Sequence, residues 1–184
     1  MGKIDLTKYD LSHLENISII SWTDTDIDKL IDAFINEKIA PTINGLDFTQ
    51  HNVERLLATS YCRNCGWCCK SYSFGTIVTE RDLKLISKHS NFSYKSLKKK
   101  VIKRKNPAGE EQRCLPQPCM FYKNGRCTIY DIRPFSCRIY PITNDLISGG
   151  KSYISIILGC DYGRDIYKNQ INRMKEDAIE AFSM

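Results

Sequence analysis

Apolar side chains recur at helical spacing in the first third of the chain. One such set is Ile27, Leu30, Ile31, Phe34 and Ile35. Positions three or four apart share one face of a helix. Thr23 precedes the set and can cap the helix, because its hydroxyl accepts a hydrogen bond from a backbone N–H of the first turn. Pro41 cannot continue a helix, so the pattern predicts an amphipathic helix between Thr23 and Pro41.

The same spacing predicts three more helices. One opens at Thr49, where Val53 and Leu56 follow, and leads into a cysteine-rich segment. Another opens at Thr79 and carries Leu83. The last lies near the C terminus, where an apolar stripe runs through Tyr167, Ile171, Met174, Ala178 and Phe182. Such a stripe is typical of a helix face that packs on a core or on a partner.

Short strands and turns are predicted between these helices. Residues 76–78 form a β-branched run of strand type. The Asn-Gly pair at 124–125 is a strong hairpin-turn signal, so residues 120–122 and 127–130 are expected to pair around it. Residues 149–150 indicate a glycine turn, and residues 153–158 a buried strand.

Positive charge is concentrated in one segment. The chain has a formal net charge of +6, and seven of the eleven positions from 95 to 105 are basic: Lys95, Lys98, Lys99, Lys100, Lys103, Arg104 and Lys105. Leu97 and Val101 lie four apart, which predicts a helix with a broad cationic face. Such a face is ordinarily solvated surface, and the functional alternative is a docking surface for an acidic partner. Nucleic acid is not expected, because no aromatic RNA-binding strand or recognition helix accompanies the charge.

Cysteines form the most specific pattern in the chain. Four of the nine lie within eight residues, in a C-x2-C-x2-C-C run. The candidate metal ligands are Cys62, Cys65, Cys68, Cys69, Cys119, Cys127, Cys137 and Cys160. Thiolates are strong, soft ligands, and two-residue spacing lets successive sulfurs meet at one zinc ion or one iron–sulfur cluster. We therefore expect a metal site, with Cys114 outside it.

Disulfides are the competing explanation for so many cysteines. An odd number would leave one thiol unpaired in a pure disulfide framework. Residues 1–10 carry no apolar segment of the secretory type, and the longest apolar run, residues 154–158, cannot span a bilayer. We therefore expect a cytoplasmic protein with reduced thiols and no membrane insertion of its own.

The spacing also bears on the kind of metal. Cys62, Cys65 and Cys68 have the spacing of three ligands to a 4Fe–4S cluster whose fourth ligand is remote, and Cys137 is the first choice for it. Adjacent cysteines point apart in an extended chain, so Cys68 and Cys69 are not expected to share one ion. The other candidates would form a second site or support the first. A 4Fe–4S cluster is favoured, and two zinc ions with four thiolates each are the alternative.

These patterns predict an α+β fold, a small cysteine-rich metal-binding domain with short strands and a hairpin, surrounded by about five helices. A chain of 184 residues with 42% hydrophobic residues is long enough for one domain with a core. Residues 1–48 are expected to form an N-terminal arm and helix, and residues 49–184 the cysteine-cluster domain with the C-terminal helix. A polar linker is expected at residues 106–112.

Two motifs carry a resemblance to a known family. The first is Cys-Arg-Asn-Cys-Gly-Trp-Cys-Cys at 62–69, and the second runs from Pro118 to Pro141 and contains three of the other cysteines. With Cys160 they cover residues 60–162. The sequence resembles the YkgJ-type cysteine-cluster family, also called the CxxCxxCC zinc- or iron-chelating domain. The resemblance implies a bound metal, either an iron–sulfur cluster or zinc. Flagellin lysine methylases carry a similar cysteine motif together with methyl transfer.

The expected function follows from the metal site and from the lack of catalytic motifs in the sequence. We expect a redox- or oxygen-responsive accessory protein that docks on a partner protein through the N-terminal arm, residues 9–20, and the basic segment, residues 95–105. The arm is too apolar for a free tail and would order on binding. The alternative is a metal-cluster-dependent enzyme or enzyme subunit, such as a methyl transferase by analogy with the lysine methylases. Metal delivery is a third possibility.

Overall fold

The computed structural model of the chain describes residues 4–71, 75–105, 109–147 and 151–183. These residues form seven α-helices and small antiparallel sheets, which confirms the α+β fold. The helices are α1 (Asp24–Asn36), α2 (Gln50–Leu57), α3 (Trp67–Ser71), α4 (Glu80–His89), α5 (Tyr94–Lys100), α6 (Phe135–Ile139) and α7 (Asp161–Ser183). The strands are β1 (Thr42–Asp47), β2 (Thr76–Ile77), β3 (Ile102–Lys105), β4 (Glu111–Leu115), β5 (Tyr122–Lys123), β6 (Arg126–Cys127), β7 (Ile142–Ile147) and β8 (Lys151–Ile156).

The chain divides into two compact units. Unit 1 contains the described residues of Met1–Tyr61 and Pro141–Met184, and unit 2 those of Cys62–Tyr140. Unit 1 is therefore discontinuous in sequence, and it joins the N-terminal segment to the C-terminal helix. This division differs from the expected boundary after residue 48.

Threonine caps begin three of the helices where the sequence predicts them. Thr23, Thr49 and Thr79 are the N-caps of α1, α2 and α4, and each side chain accepts a hydrogen bond from a backbone N–H of the first turn. In α1 and α4 the carboxylate of the third helical residue, Asp26 or Asp82, accepts a hydrogen bond from the backbone N–H of the capping threonine. This second bond completes a capping box. These helix starts are confirmed.

The N-terminal arm is packed within unit 1. Three 3₁₀ turns precede α1, and Leu11 and Leu14 are buried against Leu30 and Ala33 of that helix. Burial of these side chains removes apolar surface from water and stabilises the arm without a partner. This differs from the expectation that the arm orders only on binding.

The sheet of unit 1 has the order β1-β8-β7, and both pairs are antiparallel. Ile142 of β7 pairs with Ile156 of β8, and both are buried. Strand β1 is not predicted by the sequence, because the Asn-Gly pair within it is typical of a turn. The predicted strand at 153–158 is confirmed in part by β8, whereas the predicted turn at residues 149–150 lies outside the described residues.

Helix α7 begins close to the backbone that follows β8. A Cβ atom on Gly163 would collide with Ile157 O, so this helix position requires glycine. Tyr167 and Ile171 of the predicted stripe are buried, whereas Phe182 is 82% exposed. The stripe is therefore a core-packing face only in the first half of the helix.

Unit 2 surrounds its own apolar core. The core contains Val78, Leu83, Ile86, Leu97, Leu115, Phe121 and Ile129. A three-stranded sheet has the order β2-β4-β3, and β5 and β6 form the predicted hairpin. Asn124 and Gly125 both have positive φ, as the turn of a two-residue hairpin requires.

The basic segment is only half helical, which corrects the predicted helix over residues 95–105. Helix α5 ends at Lys100, and residues 102–105 form β3, whose Ile102 pairs with Cys114 and whose Lys105 pairs with Glu111 of β4. The β-branched pair Val101 and Ile102 favours a strand at this point. The expected linker at 106–112 is in part strand β4, and residues 106–108 lie outside the described chain.

No helix in the described part of the chain is both long enough and apolar enough to cross a lipid bilayer.

Candidate metal centre

Seven of the eight candidate ligands belong to unit 2, where five different segments carry them. Cys62 and Cys65 lie in the loop before α3, and Cys68 and Cys69 lie on α3 itself. The remaining three of unit 2 are Cys119 before the hairpin, Cys127 on β6 and Cys137 on α6. Cys160 belongs to unit 1, where it is buried immediately before α7, and its role as a ligand stays a prediction.

Helix α3 and the segment before the hairpin are joined through their backbones. The N–H of Cys119 donates to Cys69 O at 2.8 Å, and the side-chain amide of Gln117 donates to Cys68 O at 3.2 Å. These bonds join residues that lie about fifty positions apart in sequence, and they bring the two cysteine motifs together.

The thiol of Cys69 is hydrogen-bonded to the thiols of both Cys68 and Cys119. Donation from Cys69 lowers the pKa of Cys119 to about 6 and also lowers the pKa of Cys68. The pKa of Cys69 is raised in return, because its proton bridges two more acidic sulfurs. At neutral pH this arrangement stabilises a thiolate at Cys119, which is the form that binds metal.

This arrangement corrects the expectation that Cys68 and Cys69 point apart. The expectation assumed an extended chain, whereas Trp67–Ser71 is helical. Successive side chains of a helix are about 100° apart rather than opposite, so neighbouring thiols can face the same region.

Two further thiols lie within electrostatic reach of these three. Burial raises the pKa of Cys127, and negative charge on Cys119 and Cys68 raises it further. Burial also raises the pKa of Cys137 to about 12, with smaller contributions from Cys68, Cys119 and Cys127. We refer to Cys68, Cys69, Cys119, Cys127 and Cys137 as the thiol cluster.

Helix α6, which carries Cys137, is held by the elements that precede it in unit 2. Ser136 Oγ donates to Ile77 O at 2.8 Å, and the N–H of Phe135 donates to Asp82 Oδ1 at 3.3 Å. Asp82 is the buried carboxylate that also completes the capping box of α4. The side chain of Asp82 therefore stabilises the start of α4 and also α6, the helix that carries Cys137.

Aromatic stacking joins the two helices that carry cluster cysteines. The rings of Trp67, at the start of α3, and Tyr140, just after α6, stack with their centroids 6.4 Å apart. Cys137 Sγ also contacts Thr76 Oγ1 at 3.8 Å. Thr76 and Gln117 support the cluster but were not identified from the sequence, because each is distant in sequence from the cysteine that it contacts.

The loop with Cys62 and Cys65 rests on the hairpin. Asn64 and Gly66 have positive φ, and a Cβ atom on Gly66 would overlap the ring of Tyr122. The hydroxyl of Tyr122 donates to Cys65 O at 3.3 Å. Both loop cysteines are exposed, and their predicted role as ligands remains a prediction.

The donor set of the cluster fits a metal that prefers sulfur. Five thiols exceed the four that a tetrahedral zinc site or a single 4Fe–4S cluster uses. Among the described residues, no three His, Cys, Asp or Glu side chains form a ready coordination site. The structure thus provides neighbouring thiols rather than a completed coordination geometry.

Comparison with known proteins agrees with the cysteine pattern. Residues 61–176 match the CxxCxxCC family, described as "Putative zinc- or iron-chelating domain". The chain is also 27% identical over 109 residues to the uncharacterized protein MJ0661 of Methanocaldococcus jannaschii. That match covers 58% of this chain and 58% of the relative, so the chain spans less than two thirds of its length. No solved structure matches the chain.

The cluster predicts different effects for the half-buried Cys119 and the buried Cys114. Cys119→Ser should reduce bound metal at least about tenfold, because it removes the stabilised thiolate and the acceptor of the Cys69 proton. Cys114→Ser is the matched control, since Cys114 is buried in β4 outside the cluster. Bound metal per chain, measured by elemental analysis, should be unchanged in the control. Equal metal loss in both variants would show that the cluster is not the metal site.

Proposed function

The chain belongs to the CxxCxxCC family of zinc- or iron-chelating domains, and we propose that its metal is a 4Fe–4S cluster which makes it a redox- or oxygen-responsive accessory protein. The observation that carries this proposal is the thiol cluster with its stabilised thiolate. Support for a 4Fe–4S cluster comes from the C-x2-C-x2-C spacing of the loop and α3, combined with further thiols from distant segments.

The residues of the cluster would have distinct parts in binding. Cys119, with a pKa of about 6, is the thiolate that an incoming cation meets at neutral pH. Cys69 must lose its bridging proton before it can bind metal, and Cys127 and Cys137 have raised pKa values and must lose theirs. Metal binding is therefore expected to release protons and to strengthen as pH rises.

A bound iron–sulfur cluster supplies one-electron redox chemistry and sensitivity to oxygen. The chain's own contribution is to hold α3, α6 and the segment before the hairpin together. The bonds from Cys119 N–H to Cys69 O and from Phe135 N–H to Asp82 Oδ1 do this without metal. Oxidation or loss of the metal would then alter the exposed loop of Cys62 and Cys65 more than the core of unit 2.

Anaerobic purification tests the identity of the metal. The expected product is a brown protein that contains iron and acid-labile sulfide, as measured by elemental and sulfide analysis together with an absorption spectrum. Purification of the same protein in air is the control and should lose sulfide and colour. A colourless anaerobic product that holds zinc alone would refute the iron–sulfur cluster while leaving metal binding intact.

The partner in this proposal is a protein with an acidic surface, which binds the basic segment of unit 2. Lys95, Lys99, Lys100 and Lys105 are exposed. Two other lysines of the segment form ion pairs within the unit. Lys98 Nζ lies 3.7 Å from Glu80 Oε1, and Lys103 Nζ lies 2.9 Å from Glu111 Oε1. The segment remains strongly basic, and complementary charge raises the rate of association at low salt.

Charge reversal tests this docking surface. The double variant Lys99→Glu/Lys100→Glu should slow association with the partner about tenfold or more at low salt, and added salt should reduce the difference. Lys84→Glu/Lys88→Glu is the matched control, because it makes the same charge change on exposed positions of α4.

Affinity capture in nitrogen and in air identifies the partner, and association rates are then measured with the purified pair. The proposal requires one protein that is retained by wild type and by the control under nitrogen, and lost in air. Docking by this surface would be contradicted if both double variants retained the partner equally, or if the amount of partner retained were the same under nitrogen and in air.

A further inference from the structure

Helix α3 is held at its C-terminal end by a segment that lies about fifty positions later in the chain. The last four carbonyl groups of an α-helix have no partner within the helix, and in α3 two of them belong to Cys68 and Cys69. Cys69 O accepts a hydrogen bond from the backbone N–H of Cys119 at 2.8 Å. Cys68 O accepts one from the side-chain Nε2 of Gln117 at 3.2 Å. Of these two bonds, only the second depends on the identity of a side chain.

The two bonds restrain the peptide groups on both sides of Cys69. A peptide group is planar, so a bond to its carbonyl oxygen restrains the two Cα atoms that the group joins. The bond from Gln117 acts on the peptide between Cys68 and Cys69, and the bond from Cys119 acts on the next peptide. Because side-chain direction follows the backbone, the two bonds together set where both thiols of α3 lie relative to Cys119.

Gln117 extends from a restrained backbone. Pro116 and Pro118 flank it, and a proline restricts both its own backbone and that of the residue before it. Leu115, the last residue of β4, is buried in the core of unit 2. Little conformational freedom is therefore lost when the amide of Gln117 contacts α3.

The amide of Gln117 is only half paired. Nε2 donates to Cys68 O, whereas Oε1 is buried and accepts no hydrogen bond from any described residue. A buried polar atom without a partner destabilises a fold, and an apolar side chain of similar volume would avoid that cost. Stability alone therefore does not account for glutamine at this position, whose one bond is made to the helix that carries two cluster cysteines.

We propose that Gln117 is a positioning residue of the metal centre, which holds the peptide between Cys68 and Cys69 so that both thiols can bind within one centre. The inference rests on the proposed metal centre in the thiol cluster. Gln117 touches no metal in this account and acts through the backbone of α3. It contributes to metal affinity and to the number of bound thiolates, and not to the stability of the metal-free fold.

Two substitutions remove this contact in different ways. Gln117→Met keeps a side chain of similar length, and it removes the donor and the unpaired oxygen together. Gln117→Asn keeps the amide but is one methylene shorter, so its N–H falls short of Cys68 O. Gln112→Met is the matched control, because Gln112 lies earlier in the same segment, on β4, where it pairs in register with Arg104 of β3.

Metal competition measures the effect on affinity. Each metal-free protein is titrated with Zn(II) against a chromophoric chelator under nitrogen. We expect Gln117→Met and Gln117→Asn to weaken Zn(II) binding about 10- to 100-fold, the range found for residues that orient metal ligands. The control Gln112→Met should match wild type within about twofold.

The Co(II) forms report the number of bound thiolates. The sulfur-to-cobalt charge-transfer absorption per metal grows with the number of thiolates, so the loss of one ligand from a four-thiolate site should lower it by about a quarter. We expect this decrease in both Gln117 variants when protein is in excess over Co(II), and no decrease in Gln112→Met.

Urea unfolding of the metal-free proteins separates positioning from a purely structural role. Gln117→Met exchanges one unpaired buried acceptor, Gln117 Oε1, for another, Cys68 O, so the unfolding midpoint should stay near that of wild type. A structural residue would lower the midpoint and the metal affinity together. If Gln117→Met does not fold, as judged by circular dichroism, Gln117→Asn carries the comparison.

Any one of three results would overturn the inference. The first is Zn(II) affinity that falls equally in Gln117→Met and Gln112→Met, or in neither. The second is unchanged cobalt absorption in both Gln117 variants, and the third is a loss of affinity that is matched by a lower unfolding midpoint of the metal-free protein. Failure of wild type to bind either ion would instead refute the metal centre itself, so the two proposals fail in distinguishable ways.

Discussion

The hydrogen bond between the N–H of Cys119 and the carbonyl of Cys69 is the contact on which the proposed site most depends. It ties the C-terminal part of one cysteine motif to the start of the other. Once the two backbones are joined, Cys69 can bridge Cys68 and Cys119 through its thiol. Hydrogen bonds from Gln117 to Cys68 O and from Tyr122 to Cys65 O extend the same junction.

When several thiols lie close together, the negative charge of one thiolate opposes the ionisation of the others, and a bound metal cation can remove this repulsion. Burial raises the pKa of Cys127 and Cys137, and each thiolate opposes the ionisation of its neighbours. Only Cys119 is markedly acidified, through the proton of Cys69. A cation removes this repulsion and allows several thiolates to exist at once. Metal binding, proton release and the stability of unit 2 are therefore expected to change together.

Local signals in the sequence predict much of the fold. Thr79 and Asp82 specify the start of α4 by a local capping box, and Asn124-Gly125 specifies the hairpin by its backbone preference. These features depend on residues a few positions apart, so a single sequence suffices to find them. Strand β1 and the change from helix to strand after Lys100 depend on pairing with β8 and β4. Such partners are distant in sequence, and local pattern does not reveal them.

The same limit applies to the site. The spacing of the cysteines identifies which residue type matters, and the family match agrees with it. The spacing does not reveal that Cys68 and Cys69 lie on a helix, because a five-residue helix has too few positions to show periodicity. Nor does it reveal that Asp82 supports α6 or that the side chain of Gln117 is hydrogen-bonded to Cys68 O. These are properties of side-chain contacts, which only the folded chain defines.

Alkylation of individual cysteines, followed by mass spectrometry, tests most directly whether the metal lies on the thiol cluster. The thiolate is the reactive form, so Cys119, with a pKa of about 6, should be the first of the cluster to be alkylated after a chelator removes the metal. In the anaerobic metal-loaded protein Cys119 should be protected together with its cluster neighbours, while buried Cys114 should react slowly in both states. If Cys119 is alkylated at the same rate with and without metal, the centre lies elsewhere and this account of the site is wrong.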